Sequence, residues 1–95
     1  MTLESNQQYH IRFSKAALHS LKKMDRYQAK VITSWLRKNI EGTTNPYQHG
    51  KALTANHIGE WRYRVGDYRV ICRIDGEELV VLALTIGHRR DVYDD

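Results

Sequence analysis

The sequence predicts an α+β domain of order β-α-α-β-β-β: a curved, mainly antiparallel sheet with a two-helix hairpin packed on one face. Three observations predict it. Between Trp61 and Ile74 apolar and charged residues alternate, the period of half-buried strands. Between Lys15 and Glu41 the apolar residues recur at helical spacing instead. No repeat, low-complexity run or linker separates the two regions, so they pack as two layers of one domain spanning residues 1–95. Ninety-five residues suffice for one modest core.

The elements follow in order. Residues 1–7 read as a frayed polar start. Tyr9, Ile11 and Phe13 alternate with His10 and Arg12, so Gln8 to Phe13 is a first strand. Ser14 caps a helix over 15–24, whose apolar stripe is Ala17, Leu18, Leu21 and Met24. Asp25 ends it and caps a second helix over 26–41, striped by Val31, Ile32, Trp35, Leu36 and Ile40. Gly42 stands where a C-terminal cap belongs. Lys30, Arg37 and Lys38 read as a solvated helix face. Glu41 to His57 is irregular, with Leu53 anchoring it to the core; so long a connection in a small domain is often functional. Ile58 to Val65 and Tyr68 to Ile74 form a hairpin around Gly66-Asp67. Asp75-Gly76 reads as a two-residue turn into a last strand, Glu78 to Gly87. That strand is apolar on both faces, as a central strand is.

Composition narrows the function. The net charge is +4, which suits a nucleic-acid or acidic protein partner. Cys72 is the only cysteine, so neither an intramolecular disulfide nor a cysteine-based metal site is expected; it reads as a small buried hydrophobe. This fits a reducing cytoplasm. Met1 to Gln8 is polar apart from Met1 and Leu3, so no secretory leader is expected. The longest apolar run, Leu79 to Ile86, is too short to span a bilayer, and no membrane partner is expected.

The hairpin carries the strongest chemical signal. Trp61, Tyr63, Tyr68 and Val70 share one face, which leaves Arg62, Arg64 and Arg69 on the other. Guanidinium groups on neighbouring strands repel one another unless an anion sits among them, and phosphate, bound two oxygens at a time, suits them best. After the last strand come His88, Arg89, Arg90 and Tyr93. At the arginine end of the sheet, these would converge on a phosphodiester, with cations to neutralise the transition state and a Tyr or His to move the proton. Lys51 leans toward the same site. Arg73, near the far end of its strand, stays outside it. Glu60 and Asp91 are too scattered to form a carboxylate pair, and the five histidines show no ligand spacing; neither a metal nor a cofactor is expected.

Three stretches together resemble the RelE/ParE superfamily of bacterial type II toxins, and within it the RelE-like ribonucleases. They are Gly50-Lys51-Ala52-Leu53, the hairpin from Trp61 to Val70, and Ile86-Gly87-His88-Arg89-Arg90-Asp91-Val92-Tyr93. The resemblance implies a RelE-like, microbial-RNase-type fold. It implies a ribosome-dependent, metal-independent endoribonuclease that enters the A site of the 70S ribosome and cuts mRNA by attack of a 2′-hydroxyl on the adjacent phosphate. The resemblance implies a catalytic set of Arg62, Arg64, Arg69, Arg89 and Tyr93. Arg62 and Arg64 match two strand lysines of the family that contact RNA and the reacting phosphate, Arg69 and Arg89 two arginines that stabilise the transition state, and Tyr93 a tyrosine that stacks on a base and helps move the proton. Lys51, His88 and Arg90 are then RNA-binding. The resemblance further implies a RelB-like antitoxin as protein partner. The alternative on the same fold is a ParE-like toxin that inhibits DNA gyrase by binding it.

Overall fold

The structure, a computed structural model, describes residues 7–54 and 58–88. Strand β1 (His10–Phe13) leads into helices α1 (Lys15–Lys23) and α2 (Arg26–Asn39). A short 3-10 turn (Pro46–Gln48) and strand β2 (Lys51–Ala52) follow, then β3 (Trp61–Val65), β4 (Tyr68–Asp75) and β5 (Val80–His88). The five strands form one mixed sheet in the order β1-β5-β4-β3-β2. Among the described residues only β1 runs parallel to its neighbour, β5. The expected α+β architecture holds, with β2 added from within the stretch read as irregular.

Local chemistry explains the helices. Ser14 Oγ accepts from Ala17 N–H at 3.0 Å, capping α1 as expected. Asp25 accepts from Tyr27 and Gln28 N–H, capping α2. Ala17, Ile32, Leu36 and Ile40 are fully buried against Tyr63, Val65, Val70, Cys72, Val81, Ala83 and Ile86 of the sheet. Burying each Leu- or Ile-sized side chain contributes about 1.5–3 kcal/mol, so this one interface dominates the stability. Burial also pushes the Cys72 thiol up, which keeps it protonated and unreactive.

Register decides what faces away from the helices. Trp61 pairs Cys72, Tyr63 pairs Val70 and Val65 pairs Tyr68, so these rungs belong to the core face. On β5 the pairing slips: Ile71 opposes Thr85 but Cys72 opposes Ala83. Leu84 is the extra residue of this β-bulge. Val81 and Ala83 before it, and Ile86 and His88 after it, all fall on the helix face, whereas strict alternation would carry Ile86 out of the core. Ser14 Oγ donates to the Leu84 carbonyl at 2.9 Å, so the α1 cap also satisfies a polar group of the bulge.

The structure departs from the sequence reading at three places that shape the sheet. β3 begins at Trp61 rather than Ile58, which is 79% exposed. The β4–β5 connection is not a two-residue turn: Asp75 pairs Val80, and its carboxylate accepts from Glu77 and Glu78 N–H, which stabilises a four-residue loop. Leu53 is buried but lies outside the core cluster. Its N–H bonds Glu60 O, so alternation from Lys51 puts it on the sheet face turned away from the helices, as Ile71 is.

The edge strand β1 is tied down by Glu41. Its carboxylate accepts from Ile11 N–H at 2.9 Å and lies 2.7 Å from His10 Nδ1. The hydrogen bond with His10, then that from Ile11, holds this carboxyl below its ordinary value of 4.5. A carboxylate whose pKa is lower in the folded than in the unfolded state stabilises the fold above the ordinary value, and that contribution disappears as pH falls through the folded value. Urea titrations between pH 6 and pH 3 are expected to show the parent losing more stability than Glu41→Gln. The effect is small, because the pair is more than a third exposed.

Candidate nucleic-acid interface

The face of the sheet turned away from the helices gathers cations by register. Lys51 pairs Arg62 across β2 and β3, and Arg64 pairs Arg69 across β3 and β4. Opposed residues of an antiparallel pair share a face, with Cβ atoms about 5 Å apart. Arg62 also pairs Ile71, so Lys51, Arg62 and Ile71 form one rung, with a small apolar spot at Ile71 and Leu53 on the same face. Arg69 also pairs Gly87 of β5, which has no side chain to crowd the guanidinium.

Burial separates the roles of these arginines. Arg62 is 6% exposed and Arg69 9%, while Arg64 is exposed. Arg62 and Arg69 therefore sit in surroundings of lowered polarity, where a charge acts more strongly on a nearby anion. Both residues make interactions within the structure, yet among the described residues Arg62 Nε and Arg69 Nε and Nη1 are buried without a hydrogen-bond partner. Arg64 remains available to solvent. Two like charges directly opposed cost about 0.2–1 kcal/mol in the free protein, a cost that an anion between them removes. Arg73 sits at the other end of β4, 3.6 Å from Glu60.

The approach to this face is held by the aromatic side of β3. Trp61 Nε1–H donates to His49 O at 2.7 Å, and the buried Tyr63 hydroxyl donates to Pro46 O at 2.7 Å. Tyr47 packs edge-on against Trp61 and Trp35 edge-on against His49, and Trp35 also meets the Tyr63 ring at a tilt. The stretch that looked irregular in sequence is thus pinned, and it delivers Lys51 to Arg62. Gly50 makes that possible: it adopts φ +81° and lies so close to β3 that a Cβ would meet Arg62 O at 2.2 Å.

The remaining expected site residues divide in two. Arg89, Arg90 and Tyr93 lie outside the described residues. His88 is described, and it does not join the arginines: it pairs Tyr68 and packs against that ring at 5.5 Å, on the helix face. It is at the arginine end of the sheet but on the other side. There it lines a cleft of about 460 Å³ with Tyr27, Gln28, Val31, Gly66, Asp67 and Tyr68, which the sequence reading missed.

Comparison with known proteins places this architecture. A family model described as the ParE toxin of the type II toxin-antitoxin system parDE matches residues 11–93. The chain belongs to the ParE toxin family. This toxin is similar to toxin RelG of Mycobacterium tuberculosis, 29% identical over 85 residues, which covers 90% of this chain and 95% of the relative. The toxin-antitoxin complex RelBE2 of M. tuberculosis contains a chain 28% identical, with a TM-score of 0.78 over 88% of this chain and 94% of that one. The archaeal RelE–RelB complex of Pyrococcus horikoshii OT3 shares the fold, with a TM-score of 0.67 at 20% identity over 90% and 99% of the two chains. The toxin is therefore a RelE/ParE-superfamily toxin of a type II system.

Proposed function

We propose that this toxin is a ribosome-dependent endoribonuclease that cuts mRNA in the A site of the 70S ribosome, arresting translation in the cytoplasm. The observation that carries the reading is the row Lys51–Arg62 and Arg64–Arg69, set in register on one face of the sheet. A scissile phosphate beside Arg64 and Arg69 gains two bidentate partners. The 2′-hydroxyl of the preceding nucleotide gives up its proton as its oxygen attacks phosphorus, the bond to the 5′-oxygen breaks, and that oxygen takes up a proton. The products are a 2′,3′-cyclic phosphate and a 5′-hydroxyl. Arg64 and Arg69 neutralise the charge that builds on the phosphoryl oxygens, the interaction that strengthens most in the transition state. Arg62 and Lys51 hold the neighbouring backbone. Guanidinium groups stay charged, so proton transfer falls to another group; the family resemblance assigns Arg89 and Tyr93 to the same chemistry and Arg90 to RNA binding.

The partner that silences such a toxin is proposed to be a RelB-like antitoxin. The helices offer it a surface. Lys15, Lys22, Lys23, Arg26, Lys30, Arg37 and Lys38 are all exposed, and Asp25, the one acid from 15 to 39, is spent on a helix cap. Between Lys30 and Lys38 runs a furrow of about 690 Å³ floored by Tyr27, Val31 and Trp35. An acidic amphipathic helix complements it in both charge and polarity.

A second reading is the ParE-like alternative implied by the resemblance, in which the toxin inhibits DNA gyrase by binding it; the matching family's description as a ParE toxin favours keeping it. Pulsed expression with mapping of transcript 5′ ends separates the two. The nuclease reading expects new ends within translated codons, lost when translation is blocked. DNA damage without such ends would establish the gyrase reading instead.

A further inference from the structure

We infer that the cleft between the start of α2 and the β3–β4 turn binds a nucleobase that bears an exocyclic amine. The inference deepens the nuclease reading and rests on it where base preference in cleavage is concerned; its nucleoside-binding arm is read without it. Tyr68 and His88 form one wall, their rings 5.5 Å apart and nearly perpendicular. Tyr27, 70% exposed, offers a second ring on the side of α2. A flat π-system fits between such rings, and every base has one. Asp67 and Gln28 also line the cleft and bring a carboxylate and a carboxamide to it. Among the described residues the Asp67 side chain makes no hydrogen bond or ion pair, so its acceptor oxygens are available to a ligand.

Those acceptors set the selectivity. A carboxylate accepts from the amino group of cytosine, adenine or guanine, whereas uracil has no exocyclic amine and offers only a ring N3–H flanked by two carbonyl oxygens that repel the carboxylate. The position also fits a polynucleotide. Tyr68 directly precedes Arg69, and the two side chains emerge on opposite faces at one end of the sheet. A strand whose phosphate rests on Arg64 and Arg69 passes the Gly66-Asp67 tip, where Gly66 adds no side chain, and lays a neighbouring base in the cleft.

Nucleosides, which lack phosphate, test the cleft without engaging the arginines. Purified toxin titrated with cytidine, adenosine, guanosine and uridine should show amide shifts at Tyr27, Gln28, Asp67, Tyr68 and His88. Uridine should bind at least about fivefold more weakly, a gap that Asp67→Asn closes. Tyr27→Ala, at an exposed position, should weaken cytidine binding about tenfold. Shifts absent from the cleft, or uridine binding as well as cytidine, would overturn the inference. So would mRNA cleavage whose base preference is the same in the parent, Asp67→Asn and Tyr27→Ala, and in that case the nuclease reading would survive. Binding in the cleft by a toxin that cuts no mRNA would sink the nuclease reading and leave the cleft standing.

Discussion

Arg64→Ala should lower mRNA cleavage by about 10²–10³-fold and leave the fold intact. That magnitude is the usual cost of removing one preorganised charge partner from a transition state. Arg64 is exposed, so its removal opens no cavity, and it directly opposes Arg69, so the loss relieves a repulsion. Urea denaturation should therefore find the variant as stable as the parent or up to about 1 kcal/mol more stable. Arg69→Ala should be at least as inactive but should lose stability as well, because that side chain is 9% exposed and partnered. Arg64→Lys should fall between parent and alanine, since it keeps the charge and loses the fork that holds two oxygens. Single-turnover cleavage on programmed ribosomes measures all three. An Arg64→Ala toxin that is both fully active and no more stable would remove Arg64 from the site.

Gly50→Ala should be the most damaging single substitution away from the core, at about 3 kcal/mol. Two costs combine. The residue holds φ +81°, where an L side chain is strained. The added Cβ would also lie 2.2 Å from Arg62 O and 2.8 Å from Trp61 Nε1, atoms of the strand that carries the arginines. Relief requires the 46–50 stretch to lift, which breaks the Trp61–His49 hydrogen bond and moves Lys51 away from Arg62. Thermal unfolding should show the loss, and RNA affinity should weaken beyond what the unfolded fraction explains. Gly42→Ala provides the comparison: it shares a positive φ but has nothing within 4 Å of its Cβ, so only the strain is expected.

Much of this was legible in the chain, for physical reasons. Alternation from Trp61 to Ile74 sorts the arginines from the aromatics because a strand has only two faces. Ser14 and Asp25 mark the helix starts because few residues can satisfy the first free N–H groups. What escaped was set by tertiary context. The bulge at Leu84 sits inside an apolar run interrupted only by Thr85, where apolar residues on both faces leave no change of period to mark it. Counted without it, His88 would share a face with Arg69; with it, His88 turns to Tyr68 and the cleft. The Asp75-Gly76 pair resembles a tight hairpin turn, yet the Asp75 carboxylate captures two later N–H groups and lengthens the loop. Strand β2 has only two residues, too few for any pattern, and exists because Trp61 and Tyr63 hold the preceding loop.

The most direct test of the central claim reads the chemistry of the cut ends. Purified toxin is added to ribosomes with a defined codon in the A site, and the RNA fragments are analysed for their termini. A phosphate cradle serving 2′-hydroxyl attack predicts a 2′,3′-cyclic phosphate on the upstream fragment and a 5′-hydroxyl on the downstream one, with both products lost in Arg64→Ala. A 5′-phosphate on the downstream fragment, or intact mRNA under conditions where the toxin still arrests growth, would contradict it.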